Sequence, residues 1–66
     1  MSTVVYPVER MDIIEGDFVR EPVLMTREAF DQAHIKYGQE AWPWRLLEDQ
    51  PKEVDSDLIT NGRFRL

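Results

Sequence analysis

The chain has 66 residues, with 13 acidic and 8 basic side chains, a net charge of −5 and a pI of about 4.6. That length allows one domain at most, and residues 1–66 read as a single small domain with residues 1–3 left disordered. There is no cysteine, which excludes disulfides, thiolate metal sites and cysteine catalysis.

The lack of cysteine fits a reducing compartment, so a cytoplasmic location is expected. The acidic balance argues against direct nucleic-acid binding and against anionic membrane surfaces, both of which need clustered Lys and Arg. The longest apolar runs, such as Val23-Leu24-Met25, fall far short of the roughly 18 residues that span a bilayer. The N-terminal MSTVVYPVER lacks the basic and long apolar regions of a signal peptide. Hydrophobic content of 42% and charged content of 32% are those of a globular chain. A domain this small buries only about 60% of the surface its unfolded chain exposes. It therefore commonly leans on a partner or a second subunit.

In chain order, TVVYPV (3–8) reads as a short strand. Pro7 cannot donate to a ladder, which favours an edge or a strand end. MDIIEGDFVR (11–20) reads as a hairpin. A three-residue loop, Glu15-Gly16-Asp17, would put Gly16 where a positive φ is needed. It would pair Ile14 with Phe18, Ile13 with Val19 and Asp12 with Arg20.

The next segment, MTREAFDQAHIKYGQ, predicts a helix over about 26–37. Thr26 is a good N-cap, and Glu28 in the first turn suits the helix dipole. Gly38 is a natural C′ residue. Ala29, Phe30, Ala33 and Tyr37 fall within one arc of about 100°, with Arg27, Glu28, Asp31 and Gln32 outside it. Ile35 lies alone on the polar side. AWPWRLLED could open a second, short helix with Pro43 at its first position. Trp44 would then be core, over the Phe30–Tyr37 stripe. Trp42, before a proline, is pushed toward extended geometry and the surface.

The tail, PKEVDSDLITNGRFRL, is open between two readings. Asn61-Gly62 predicts a hairpin turn pairing Thr60 with Arg63 and Ile59 with Phe64. The rival is a helix from Pro51 to Asn61, which the β-branched Val54, Ile59 and Thr60 weaken. Together these elements give a small α+β domain: short antiparallel strands and a hairpin packed on one central helix, ending in a C-terminal hairpin or short helix.

Chemistry is sparse. His34 is the single histidine and has no cysteine or second histidine to work with, so it reads as a partly exposed boundary residue. On a strand Glu53, Asp55 and Asp57 would point to one face as a solvated acidic edge. They also have the spacing that opens a calcium loop, but Leu58 stands where the glycine belongs. No serine sits in a nucleophile elbow, and the glycines are isolated, so no phosphate loop exists. No enzyme, cofactor or metal is expected.

Tryptophan and arginine are enriched at binding hot spots. The expected function is therefore a non-enzymatic protein-interaction module. Its contact residues would be Trp42, Arg45 and Ile35, or the acidic set Glu48, Asp49, Glu53, Asp55 and Asp57. Size, charge and lack of motifs resemble short bacterial or phage accessory proteins, inhibitors among them. Two alternatives stand beside it. One is a structural homo-oligomer whose subunits complete one another's core. The other is an acidic decoy that imitates nucleic acid on a basic protein surface.

Overall fold

A computed structural model describes the backbone of residues 1–41 and 43–66 and the side chains of residues 1–36 and 43–66. The elements are β1 (Ser2–Asp12), β2 (Asp17–Met25), α1 (Arg27–Ala41), β3 (Trp44–Leu46), β4 (Lys52–Asp55), a 3-10 turn (Ser56–Leu58) and β5 (Arg63–Arg65). All strand pairs are antiparallel, in the order β3-β1-β2-β5, with β4 also on β1. The molecule is thus an α+β fold of short strands and one helix.

β1 sets the dimensions. Eleven extended residues span roughly 36 Å, and the longest extent of the molecule is 38 Å. One continuous strand replaces the short 3–8 strand expected from sequence, and it is central rather than an edge. Pro7 is tolerated inside it for a local reason. Its carbonyl accepts from Leu47 N–H at 2.9 Å, and the Met1 carbonyl accepts from Ser56 N–H at 2.7 Å. Odd-numbered residues of β1 turn their polar groups to the same side. β3 and β4 therefore share that side, pairing with Val8–Arg10 and Ser2–Val5 respectively. Pro7 falls in the gap between them, where a missing N–H orphans no acceptor. On the other side β2 loses register between Pro7 and Glu9, so that Glu21, Pro22 and Val23 face Val8 alone. The irregularity accommodates Pro22, which could not have continued the ladder.

The hairpin differs in register from the sequence expectation. Met11 pairs with Phe18, Arg10 with Val19 and Asp12 with Asp17, around a four-residue Ile13–Gly16 loop. Asp12 decides this. Its Oδ1 accepts from the N–H groups of Ile14 (2.9 Å) and Glu15 (3.3 Å), and its carbonyl accepts from Gly16 N–H (2.7 Å). Aspartate at the first turn position outcompetes apolar matching because it satisfies loop donors directly. Gly16 keeps its predicted positive φ, +71°.

α1 starts as expected, with Thr26 Oγ1 accepting from Ala29 N–H at 3.2 Å. It does not stop at Gly38 but continues to Ala41. Phe30 is buried with Val8 and Met25, and Val23, Ala29, Trp44 and Leu46 pack around them. Arg27, Glu28, Asp31 and Gln32 are exposed. The side chain of Tyr37, the last member of the expected stripe, lies outside the described residues.

Trp44–Leu46 is a strand, not the expected second helix. It supplies a partner for β1, and Pro43 carbonyl takes the Met11 N–H at 3.0 Å. In the tail, the Asn61-Gly62 turn is present, but Phe64 pairs with Leu24 of β2 instead of the expected Ile59, and β4 with the 3-10 turn takes the place of the rival helix. Both residues have positive φ (53° and 76°), the signature of a type I′ turn, and Thr60 and Arg63 exchange both backbone bonds.

Gly62 is required twice over. Its φ lies in the left-handed region, and an added Cβ would run into Ala29 of α1. Gly62 carbonyl also takes the Thr26 N–H, so the turn docks on the helix start. Gly16 has the same sign of φ but nothing within 4 Å of an added Cβ. Gly16→Ala should therefore cost about 1 kcal/mol from backbone strain alone. Gly62→Ala should cost roughly 2–4 kcal/mol, because overpacking adds to the strain. Urea denaturation of both variants checks this, and equal losses would mean that the turn does not pack on α1.

Candidate functional site

The hairpin tip is the feature that stands out. Ile13 is 89% exposed and Ile14 97% exposed, at the far end of the longest strand. Side chains of this kind are normally buried, and two in sequence at a tip form an apolar projection. The tip is not loose. The three bonds made by Asp12 fix the loop, and Asp17 Oδ1 accepts from its own neighbour Phe18 N–H at 2.7 Å. The isoleucines line an open groove together with Met11, Pro43 and Trp44, and with Arg10 and Asp12. Arg10 is committed to Glu21, Nε to Oε1 at 2.8 Å. The net charge around the tip therefore comes from Asp12, Glu15 and Asp17.

The residues picked out by sequence do not converge. Trp42 lies outside the described residues. Arg45 sits on β3 between Trp44 and Leu46, which pack on the helix side of the sheet. Strand alternation turns Arg45 to the opposite face. There its Nε and Nη2 both reach Glu9 Oε1, at 2.8 and 2.6 Å, and its guanidinium lies 3.8 Å from the centre of the Phe18 ring. Ile35, 85% exposed, is on α1 across the sheet. Arg45 and Ile35 therefore belong to different sides of the molecule.

The acidic set is also divided. Glu48 pairs with Arg27, and Asp49 is exposed in the turn after β3. Glu53 and Asp55 share a face of β4, where Glu53 accepts from Ser2 Oγ at 3.3 Å. Asp57 leaves that face because the strand ends at Asp55, whose Oδ1 accepts from Asp57 N–H at 3.0 Å and opens the 3-10 turn. The one-faced acidic edge expected from the alternating spacing is reduced to two carboxylates.

His34 is half-buried against Phe30, with ring centres 4.7 Å apart. Among the described residues, no group of three or more His, Asp or Glu could hold a metal ion. Among the same residues, no helix is long and apolar enough to cross a membrane.

Sequence reasoning passed over Ile13 and Ile14 because the expected register paired them with Val19 and Phe18 and so placed them in strands. The signal that could have found them is Asp12 followed four residues later by glycine, a spacing that closes a four-residue loop. Compared with protein-family models, curated proteins and solved structures, the chain matches none.

In the Arg45–Glu9 pair two guanidinium nitrogens share one carboxylate oxygen, and the arginine side chain is about half in solvent. A double-mutant cycle with Arg45→Ala and Glu9→Ala should give a coupling of about 0.5–1 kcal/mol. A coupling of zero would mean that the fork is not formed in solution.

Proposed function

We propose that this chain is a non-enzymatic protein-interaction module that docks through the Ile13–Ile14 tip. The observation that carries the reading is the combination of near-complete exposure with a locked loop. The isoleucines stand clear of the body while Asp12 holds their backbone. A preorganised apolar anchor loses little entropy on binding, so its burial appears as affinity. Each isoleucine that enters an apolar pocket contributes roughly 1.5–3 kcal/mol. The partner suited to this tip is a protein with an apolar cleft rimmed by basic side chains, which would meet Asp12, Glu15 and Asp17. The acid rim would act mainly on encounter rate and specificity, while the isoleucines would set the lifetime of the complex. The groove walled by Met11, Pro43 and Trp44 would receive whatever the partner places beside its cleft.

The decoy reading needs a dense acidic array on one side, and the division of Glu48, Asp49, Glu53, Asp55 and Asp57 counts against it. The accessory or inhibitor role expected from size and charge remains compatible with a docking tip.

The test compares capture by wild type, Ile13→Ser/Ile14→Ser and Asp12→Ala. A partner held by wild type should bind the double serine variant at least about tenfold more weakly, with an unchanged melting temperature. Asp12→Ala keeps both isoleucines but frees the loop, so it should weaken binding by a smaller factor and speed amide exchange at Ile14 and Glu15. Undiminished binding by the serine variant would overturn the reading.

A further inference from the structure

The two outer sides of the sheet carry opposite charge, and this has a consequence separate from the hairpin tip. On β5, Arg63 lies across from Met25 and Arg65 across from Val23. Both arginines therefore sit on the face that carries the Val8–Met25–Phe30 core, beside α1. Arg10, Arg27 and Arg45 each have a carboxylate partner. Among the described residues, Arg63 and Arg65 have no ion pair and no side-chain hydrogen bond. They line one groove with Pro22, Val23, Trp44 and Glu21, whose carboxylate is taken by Arg10, and a second with Leu58 and Thr60. Leu58 is 62% exposed there.

On β4, at the other outer side, Glu53 lies across from Val4 and Asp55 across from Ser2. Even-numbered residues of β1 share the face of Val8. Glu53 and Asp55 therefore project to the same face of the sheet as Arg63 and Arg65. Val4, next to them, is 41% exposed.

We propose that Arg63 and Arg65 form a docking surface for the Glu53–Asp55 edge of a second copy of this chain, giving a head-to-tail contact. Three features argue for this occupant. The charges are complementary, and the apolar Leu58 and Val4 lie beside them. The spacing agrees, since both pairs are two residues apart on a strand, about 6.6 Å. The direction agrees too. β5 runs parallel to β1 and β4 antiparallel to it, so copies stacked in one orientation bring Arg63 to Asp55 and Arg65 to Glu53. Like edges cannot pair: that would set arginine against arginine or carboxylate against carboxylate. A two-fold dimer through either edge is disfavoured for this reason, and the contact is heterologous. It works through side chains rather than by strand addition, because Thr60 already occupies the outward backbone groups of Arg63. Arginine forks on carboxylates exposed to solvent give a weak, salt-sensitive association.

Sedimentation equilibrium of the chain, from micromolar to millimolar concentration at low salt, tests this together with two charge variants. Wild type should show a rising average mass, and half-molar salt should lower the association constant about tenfold. Arg63→Glu/Arg65→Glu and Glu53→Lys/Asp55→Lys should each be monomeric alone, yet associate when mixed, because the first is acidic at both edges and the second basic at both. If replacing Asp55 disturbs the 3-10 turn, as circular dichroism would reveal, the single variants Glu53→Lys and Arg65→Glu serve in the same scheme. Ile13→Ser/Ile14→Ser should self-associate like wild type, which separates this surface from the hairpin tip. A wild type that stays monomeric throughout, charge variants that associate as it does, or variants that stay monomeric when mixed would overturn the proposal. So would self-association abolished by the tip variant instead.

Discussion

β1 hydrogen-bonds to β2 along one side and to β3 and β4 along the other, so three of the four remaining strands pair with it directly, and β3 and β4 pair with no other strand. The constraint is strict because every backbone group in a central strand must find a partner. Proline at position 7 could have broken that arrangement. It does not, because the chain between Leu46 and Lys52 leaves a gap in the neighbouring ladder where the missing N–H would have pointed. The two short strands on that side exist as separate elements because they straddle the proline. Leu46 pairs with Val8 and Trp44 with Arg10, a register that sets both on the face of the Val8–Met25–Phe30 cluster.

The core that results is thin. Among the described residues the buried hydrophobic side chains are Val5, Val8, Leu24, Met25 and Phe30. The strand residues divide between the two faces of the sheet, with Val8 and Met25 meeting Phe30 of α1 on one and Val5 and Leu24 outside that cluster. Each contributes roughly 1.5–3 kcal/mol, against an entropy cost that grows with every ordered residue. Stability therefore rests on local devices as well as burial: the Asp12 loop lock, the Thr26 cap and the Gly62 turn seated on the start of α1. The same shortage of core leaves Ile13, Ile14, Ile35 and Leu58 in solvent. An elongated body of 38 × 22 × 19 Å has too little interior to take them.

That shape links the fold to the functional reading. A long strand closed by a rigid tip holds an apolar anchor away from the rest of the surface. The acidic and basic edges flank the other half of the same strand. The binding proposed at the tip and the contact proposed along the edges would therefore use surfaces separated along the long axis.

What the sequence determined by itself was local. Thr26 as N-cap, the Phe30 face, the Asn61-Gly62 turn, the exposed Ile35 and the α+β class were all legible, because each rests on interactions within about four residues or on a forced φ. Tertiary structure alone decided the rest. Trp44–Leu46 became a strand because β1 had an unpaired side to fill, and Gly38 stayed within the helix although it is a good stop. Arg45 and Ile35, close in sequence, were sent to opposite sides because a strand alternates faces while a helix packs on only one. Glu53, Asp55 and Asp57 lost their common face when Asp55 capped a turn. The hairpin register belongs to both kinds of cause: Asp12 wrote it locally, but apolar matching read as the stronger signal. Strand pairing is chosen by residues tens of positions away, and no short-range pattern in the chain encodes which partner will be there.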